Sequence, residues 1–221
     1  MANSDAYRLF REFIQDTAFP CVGAKSALAR DALTMHLAED IERAKDDVDI
    51  HRALRDFSDS LDLDSPIVKS FVVLFDGPCD LAEEDFEKAL WNRLQCLHNL
   101  DVVSGTAWHR NVDADPNSPH FSLSIGGEPY FVIGLNPNAS RPARRFSRPA
   151  MVFNSHLQFE KLRADGRFEK MKDIIRQRDA QLAGSVNPML SDHGEASEAR
   201  QYSGRMVNDN WKCPFAPQEI A

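Results

Sequence analysis

The last third of the chain concentrates residue types that can do chemistry. Imidazole, carboxylate, phenol and thiol groups stand there in short clusters of poorly periodic sequence, and the burial of one helix face does not account for them. We therefore expect several of these side chains to line a ligand site. The clusters are the segments 154–160, 187–190, 193–195, 201–205 and 211–215.

Two histidines in this region have a setting that suits a metal ligand. His156 directly follows Ser155, the predicted N-cap of a helix, so its imidazole can offer one nitrogen to a metal such as haem iron while a carbonyl or carboxylate holds the other. His193 stands before Gly194 and Glu195 in a turn-rich segment and is a similar candidate. The alternative interpretation is that each histidine only satisfies a backbone group.

Cys213 is a third candidate ligand, because a thiolate is a strong axial donor to haem iron. Pro214 removes the next amide donor and can leave the sulfur accessible. The alternative is a small buried residue that helps to anchor the segment between Trp211 and Phe215.

Four arginines, Arg141, Arg144, Arg145 and Arg148, lie within one short loop of an otherwise acidic chain. Guanidinium groups bind carboxylates bidentately, so this loop suits a haem propionate or the carboxylate of an amino acid. The alternative, which the sequence supports equally, is a basic loop that is solvated and binds no ligand. Stacking aromatic residues are not interleaved here, which disfavours a nucleic-acid patch.

The remaining candidates are polar groups that can orient a substrate. Tyr202 and Arg205, with Glu198 nearby, place donors and acceptors in one turn. Gln158 and Glu160, beside His156, suit a cationic substrate head. Alternatively, the first group only holds the C-terminal segment against the rest of the protein, and the second group only faces water on a helix.

Composition narrows the class of protein. The chain has 221 residues, of which 43% are hydrophobic and 27% charged, and its net charge of -8 repels nucleic acid and anionic membrane. The partner expected is a small molecule. The sequence carries no glycine-rich phosphate-binding motif and no His-Glu-x-x-His. The first residues lack a basic and then apolar leader, and the four cysteines are not closely paired, so we expect a cytoplasmic protein with free thiols.

Hydrophobic periodicity predicts one α+β domain. We expect a helical N-terminal part over 4–62, a sheet with helices over 68–183 and an irregular, packed C-terminal extension over 185–221. The sheet is expected to be small, mostly antiparallel and covered by helices. The individual predictions are helices over 4–17, 25–45, 49–61, 83–98, 155–162 and 168–182, a buried strand at 71–75, a hairpin of 121–125 with 130–133, and a strand at 151–153.

Taken together, several short segments resemble the YqcI/YcgG family, and the resemblance extends over nearly the whole chain. It is densest in the C-terminal part. The segments that carry it are Phe153-Asn154-Ser155-His156-Leu157-Gln158-Phe159-Glu160, Asn187-Pro188-Met189-Leu190, Ser197-Glu198-Ala199-Arg200-Gln201-Tyr202-Ser203-Gly204-Arg205 and Trp211-Lys212-Cys213-Pro214-Phe215.

The resemblance implies an enzyme that uses haem b and O2 to hydroxylate a nitrogen of an arginine- or lysine-like molecule, with electrons from an external donor. It implies His156 as axial ligand, with Cys213 and His193 as competitors. Arg144 and Arg145 would hold propionates or a substrate carboxylate. Catalytic or orienting roles fall to Glu160, Glu198 and Tyr202, and substrate binding to Gln158 and Arg205.

One departure from the family pattern bears on activity. Relatives often have histidine where this chain has Asn136, within Gly134-Leu135-Asn136-Pro137. If that histidine is catalytic in them, this chain has lost or changed the activity. Two alternatives therefore stand beside the oxygenase: a non-catalytic haem-binding or sensing protein that takes up haem at Cys213, and a small-molecule binding protein without haem.

Overall fold

The computed structural model describes residues 2–190 and 194–218 of the chain. Within these residues the helices and strands alternate irregularly, as in other α+β proteins. The helices are α1 (Ala2–Gln15), α2 (Val22–Ala29), α3 (Asp47–Asp59), α4 (Glu83–Val103), α5 (His156–Ala164), α6 (Arg167–Ala183) and α7 (Ala199–Tyr202), and the strands are β1 (Leu33–Asp40), β2 (Ser70–Gly77), β3 (Leu123–Ile125), β4 (Glu128–Leu135) and β5 (Ala150–Ser155).

The five strands form one mixed sheet in the order β1-β2-β5-β4-β3. Only β1 and β2 run parallel, and the other three pairs are antiparallel. This confirms the α+β class and the mostly antiparallel sheet. Strand β5 occupies the centre, so the residue that follows it, His156, lies at the middle of one sheet end.

The prediction of a helix over 25–45 was wrong, because the N-terminal part over 4–62 is mostly helical but also contains strand β1. Helix α2 ends at Ala29, and Asp31 then takes a left-handed conformation with φ of 54° that turns the chain into β1. The segment of β1 is rich in good helix formers, but it pairs with β2 in parallel from Leu33 to Asp40. Tertiary pairing has therefore overridden local propensity.

The other predicted elements are present, with shifted ends. The hairpin of β3 and β4 turns through Gly126 and Gly127, whose φ angles of 63° and 76° are both positive, as a two-residue type I′ turn requires. Ser155 caps α5 by accepting a hydrogen bond from the amide of Gln158 at 3.2 Å.

The two faces of the sheet are covered differently. One face packs tightly on α3 and α4 in a cluster that includes Phe71, Leu90 and Phe153. The contact is so close that a Cβ on Gly134 would lie 2.6 Å from Leu90 Cδ1, so only glycine fits there. The other face meets α1 and α2 over a smaller cluster that includes Phe10 and Leu74.

The described part of the C-terminal extension is packed, as predicted. Tyr202 is fully buried and Phe215 nearly so, whereas Met206 is exposed. Glu87 of α4 fixes the segment by accepting hydrogen bonds from Ser203 Oγ at 2.9 Å and Arg205 Nε at 3.0 Å. Across the described residues, no helix combines the length and the apolar character needed to cross a membrane.

Candidate functional site

A cavity of about 890 Å³ lies between helix α6 and the face of the sheet that meets α1 and α2. Its volume is at the upper end of the range for ligand pockets. The sheet supplies an apolar wall, and α6 presents one face at helical spacing. The residues from these two walls are Leu33, Ser70, Val72, Phe131, Ile133, Leu135, Val152 and Asn154 on the sheet and Arg167, Phe168, Glu169, Met171, Lys172, Ile175, Arg176 and Asp179 on α6.

His156 lines this cavity from the first turn of α5. Its position follows from local sequence, because β5 ends at Ser155, whose hydroxyl caps the helix and also donates to Glu128. The residue is only 5% exposed. A buried imidazole at the edge of a cavity can bind a metal or a polar ligand group.

Two carboxyl groups flank the imidazole of His156. Its Nε2 lies 3.5 Å from Glu160 Oε1, and its Nδ1 lies 4.0 Å from Glu198 Oε2. Glu160 is half-exposed and does not line the cavity, whereas Glu198 is largely buried and does. The fold thus brings together His156, Glu160 and Glu198, which the sequence separates by up to 42 positions.

Glu198 is held by Tyr202 in a buried network. The Tyr202 hydroxyl lies 2.7 Å from Glu198 Oε1, 2.9 Å from the carbonyl oxygen of Tyr130 and 3.3 Å from the amide of Leu123, which donates to it. The hydroxyl has a single proton for two acceptors. A protonated Glu198 resolves this conflict, because the carboxylic acid then donates to Tyr202 while Tyr202 donates to the Tyr130 carbonyl.

The electrostatics agree with a protonated Glu198. Burial raises the pKa of Glu198 to about 7, although Tyr202, Ser122 and Arg163 act in the opposite direction. Burial also raises the pKa of Tyr202 well above its ordinary value, so the phenol stays neutral. The site therefore contains an acid that can gain or lose a proton near neutral pH.

The protonation of Glu198 predicts a pH-dependent stability. An unfolded glutamate titrates near its ordinary pKa of 4.5, so between that value and about 7 the folded protein binds more protons than the unfolded chain. The free energy of unfolding therefore falls as pH rises through this window, by at most about 3 kcal/mol. Glu198→Gln should remove this loss, because its amide still donates to Tyr202 and does not ionise.

Urea unfolding of both proteins from pH 4.5 to pH 8 tests this prediction. The free energy of unfolding of Glu198→Gln minus that of the wild type should become more positive up to about pH 7 and then level off. The difference between the two proteins cancels the contribution of buried histidines to the free energy of unfolding. One of these is His98, whose lowered pKa makes the free energy of unfolding rise with pH. Parallel curves for the two proteins would contradict a protonated Glu198.

The arginine loop is used mainly to hold the fold together. Arg144 is buried, which lowers its pKa to about 10, and it donates to the carbonyls of Gly134 at 3.0 Å, Gln201 at 3.1 Å and Tyr202 at 3.2 Å. Arg141 also lines the cavity and pairs with Asp179 of α6.

The other two arginines of this loop lie away from the cavity. Arg145 donates to the carbonyls of Ala139 and Ser140, and Arg148 pairs with Asp76. Of the two arginines expected to hold a carboxylate, only Arg144 lines the cavity. Of the four arginines of this loop, only Arg141 and Arg144 therefore line the cavity.

Three further candidates, Cys213, Arg205 and Gln158, do not line the cavity. Cys213 packs against the core cluster on the α4 side of the sheet, where burial raises the pKa of its thiol to about 12. Arg205 pairs with Glu87, and Gln158 bonds to the backbone of Lys69 through both ends of its amide. His193 falls outside the described residues.

Asn136 has a structural role in the loop after β4. It is buried, donates to the carbonyl of Leu81 at 3.4 Å and accepts from the amide of Asn138 at 3.3 Å. Asn136 is not part of the cavity wall. Its side chain shapes the turn between β4 and the arginine loop.

Sequence reasoning missed Arg163, which lines the cavity from α5. Its Cζ lies 4.5 Å from the centroid of the Phe168 ring. The signal was available, because residues seven positions apart on a helix share a face and His156 precedes Arg163 by seven. Among the described residues, no group of three or more histidine, cysteine or acidic side chains is placed to hold a metal ion.

Comparison with known proteins identifies the family. The family model described as "YqcI/YcgG family" matches residues 10–216. The chain belongs to the YqcI/YcgG family. Among its relatives are two proteins of Bacillus subtilis (strain 168), named "Uncharacterized protein YcgG" and "Uncharacterized protein YqcI".

These relatives cover nearly the same length as this YqcI/YcgG protein. YcgG is 28% identical over 224 residues, which span 96% of this chain and 87% of YcgG. YqcI is 25% identical over 223 residues, which span 96% of this chain and 86% of YqcI. No solved structure matches the chain significantly.

Proposed function

We propose that this YqcI/YcgG protein is a haem-dependent N-oxygenase that binds its cofactor in the cavity through His156. The observation that carries the proposal is a buried imidazole at the wall of a cavity of about 890 Å³. A single imidazole is sufficient as the axial ligand of haem, so a cluster of several metal-binding side chains is not required.

The residues present fit haem. The cavity wall is largely apolar on the sheet side, as a macrocycle requires, and arginines and a lysine at its other walls suit propionates. Glu160 is half-exposed, so its side chain can rotate into solvent and would not prevent His156 from holding a haem. Glu198 lies on the Nδ1 side, where a carboxyl or carbonyl group commonly orients a ligating histidine.

N-hydroxylation of an amine or guanidine consumes O2, two electrons and two protons and releases one water. Haem would supply the activation of O2, and a separate reductase the electrons. The protein's own contribution is to orient the substrate, exclude water and supply protons. Glu198, with a pKa of about 7 and a hydrogen bond to Tyr202, is a suitable proton donor at neutral pH.

The substrate proposed is an arginine- or lysine-like molecule. Glu169, which pairs with Lys172, and Glu198 both line the cavity, so two carboxyl groups can face a guanidinium or ammonium. The rival interpretation, reversible haem uptake at Cys213, has less support, because the raised pKa of that thiol disfavours the thiolate that binds iron.

Haem titration followed by a turnover assay tests the proposal. The purified protein should take up one haem per chain with a saturable Soret band, and the reduced protein should bind CO. With a reductase, O2 consumption should then increase on addition of L-arginine or L-lysine, and a hydroxylated product should be detected. Stoichiometric haem without substrate-dependent O2 consumption would favour the non-catalytic haem protein. The absence of saturable haem binding would favour a haem-free binding protein.

A further inference from the structure

A second feature of the cavity is the guanidinium group of Arg163. Its Nε and Nη1 atoms are buried, and neither has a hydrogen-bond partner among residues 2–190 and 194–218. The group lies on the same face of α5 as His156, two helical turns further on. Both residues line the cavity.

Buried donors without partners are rare and costly. Each unsatisfied polar group destabilises the folded protein, and more so when the group is charged. Native proteins keep such a group mainly where a ligand, ion or water satisfies it. Arg144, in the same cavity, shows the contrast, because it makes three hydrogen bonds to backbone carbonyls. Arg93 and Arg141 also leave their Nε unpartnered, but each pairs with a carboxylate, whereas Arg163 pairs with none among the described residues.

No carboxylate of the described chain neutralises Arg163 directly. Glu160, Glu169 and Glu198 are near enough to act on its pKa, but no ion pair within 4.0 Å forms in the part of the chain that the structure describes. The Glu198 carboxyl is engaged by Tyr202, whose hydroxyl lies 2.7 Å from Oε1, and not by Arg163. The positive charge therefore remains available to a molecule in the cavity.

The surroundings also orient the guanidinium group. Arg163 Cζ lies over the ring of Phe168, from the first turn of α6, at 4.5 Å from its centroid, and this ring packs edge-on against Phe159 of α5. The donors of a guanidinium radiate in its plane, and the phenyl ring offers them no oxygen or nitrogen acceptor. A planar carboxylate is the group that such donors bind best.

We propose that Arg163 binds a carboxylate of the molecule that occupies this cavity. Under the proposed function, that carboxylate belongs either to a haem propionate or to the substrate. Arg163 would then take the anchoring role that the sequence suggested for Arg144 and Arg145. It would also fix the distance of that carboxylate from His156, because both residues belong to one helix.

Two pairs of probes, each with and without a carboxylate, test this proposal. The first pair is haem and haem dimethyl ester, titrated by Soret absorbance. The second is 4-phenylbutyrate and 4-phenylbutyramide, titrated into the haem-free protein by calorimetry. The wild type should prefer the acid by about 10-fold or more in at least one pair, since a hydrogen bond to a charged group contributes about 1.5–3 kcal/mol.

Arg163→Gln should reduce this preference to nearly 1 and leave affinity for the uncharged probe within about 2-fold. Arg163→Lys should retain part of the preference, because it keeps the charge but not the planar donors. The matched control is Arg52→Gln, an exposed arginine of α3 on the other side of the sheet, which should behave as the wild type. Circular dichroism confirms that each variant is folded.

The outcomes separate the two sources of the carboxylate. Loss of preference in the haem pair alone assigns Arg163 to a propionate, and loss in the phenylbutyrate pair alone assigns it to a substrate carboxylate. If haem does not bind, the oxygenase proposal fails, but the phenylbutyrate pair still tests Arg163. A wild type without preference in either pair, or an unchanged preference in Arg163→Gln, would overturn the inference.

Discussion

His156→Ala is expected to abolish stoichiometric haem binding, with the Soret band falling to less than about a tenth of its wild-type intensity. The variant removes the imidazole that lines the cavity, and the structure places Cys213 in a different core cluster, away from the cavity. Absorption spectra of the ferric and ferrous-CO forms, recorded after haem reconstitution, measure the effect. Cys213→Ala is the matched control and should keep both the stoichiometry and a histidine-type CO spectrum.

A chemical rescue distinguishes ligation from a folding defect. His156→Gly leaves a space the size of the missing ring, and added imidazole should enter it and restore the Soret band. An alanine or glycine variant that is folded and binds haem as the wild type does would show that His156 is not the ligand. Loss of the band in Cys213→Ala instead would assign ligation to the thiol.

Trp91→Ala is expected to lower the free energy of unfolding by about 3–5 kcal/mol, the cost typical of truncating a buried aromatic side chain. Trp91 is 2% exposed, stacks on Tyr202 with ring centroids 5.4 Å apart and also contacts Trp211 and Phe215. Its loss should therefore also loosen the C-terminal extension. Urea unfolding gives the free energy, and limited proteolysis reports cleavage within residues 185–218.

Trp91→Phe is the matched control for this prediction. It keeps a ring against Tyr202 and removes Nε1, which is buried and has no hydrogen-bond partner among the described residues. We expect it to cost less than half as much as Trp91→Ala. Equal costs for the two variants, or a cost below about 1 kcal/mol for alanine, would show that the extension does not depend on this aromatic stack.

The fold could be predicted where one signal was local and strong. The apolar run at 71–75 indicated a buried strand, the glycine pair at 126–127 indicated a tight hairpin, and Ser155 indicated a helix start. In each case the pattern depends on residues that are close together in the sequence. The structure confirms all three, with ends shifted by a few residues.

The prediction failed at β1 because the deciding interaction was not local. Residues 33–40 contain leucine, methionine, alanine and glutamate, which favour helices, and no proline interrupts the segment. Only the parallel pairing with β2, some 37 residues away, selects the strand. A helix prediction from periodicity has no means of including that partner.

The same distinction between local and non-local interactions applies to the candidate site. The sequence by itself determined that His156 begins a capped helix after a strand and that the chain belongs to the YqcI/YcgG family. Only the tertiary structure decided that Glu198, which Tyr202 holds, lies beside His156 and that Cys213 does not line the cavity. It also decided that the Nε and Nη1 atoms of Arg163 are buried without a hydrogen-bond partner among the described residues. The reason is physical: motifs and caps depend on neighbouring residues, whereas burial, charge pairing and shared cavities depend on how distant segments pack against the sheet.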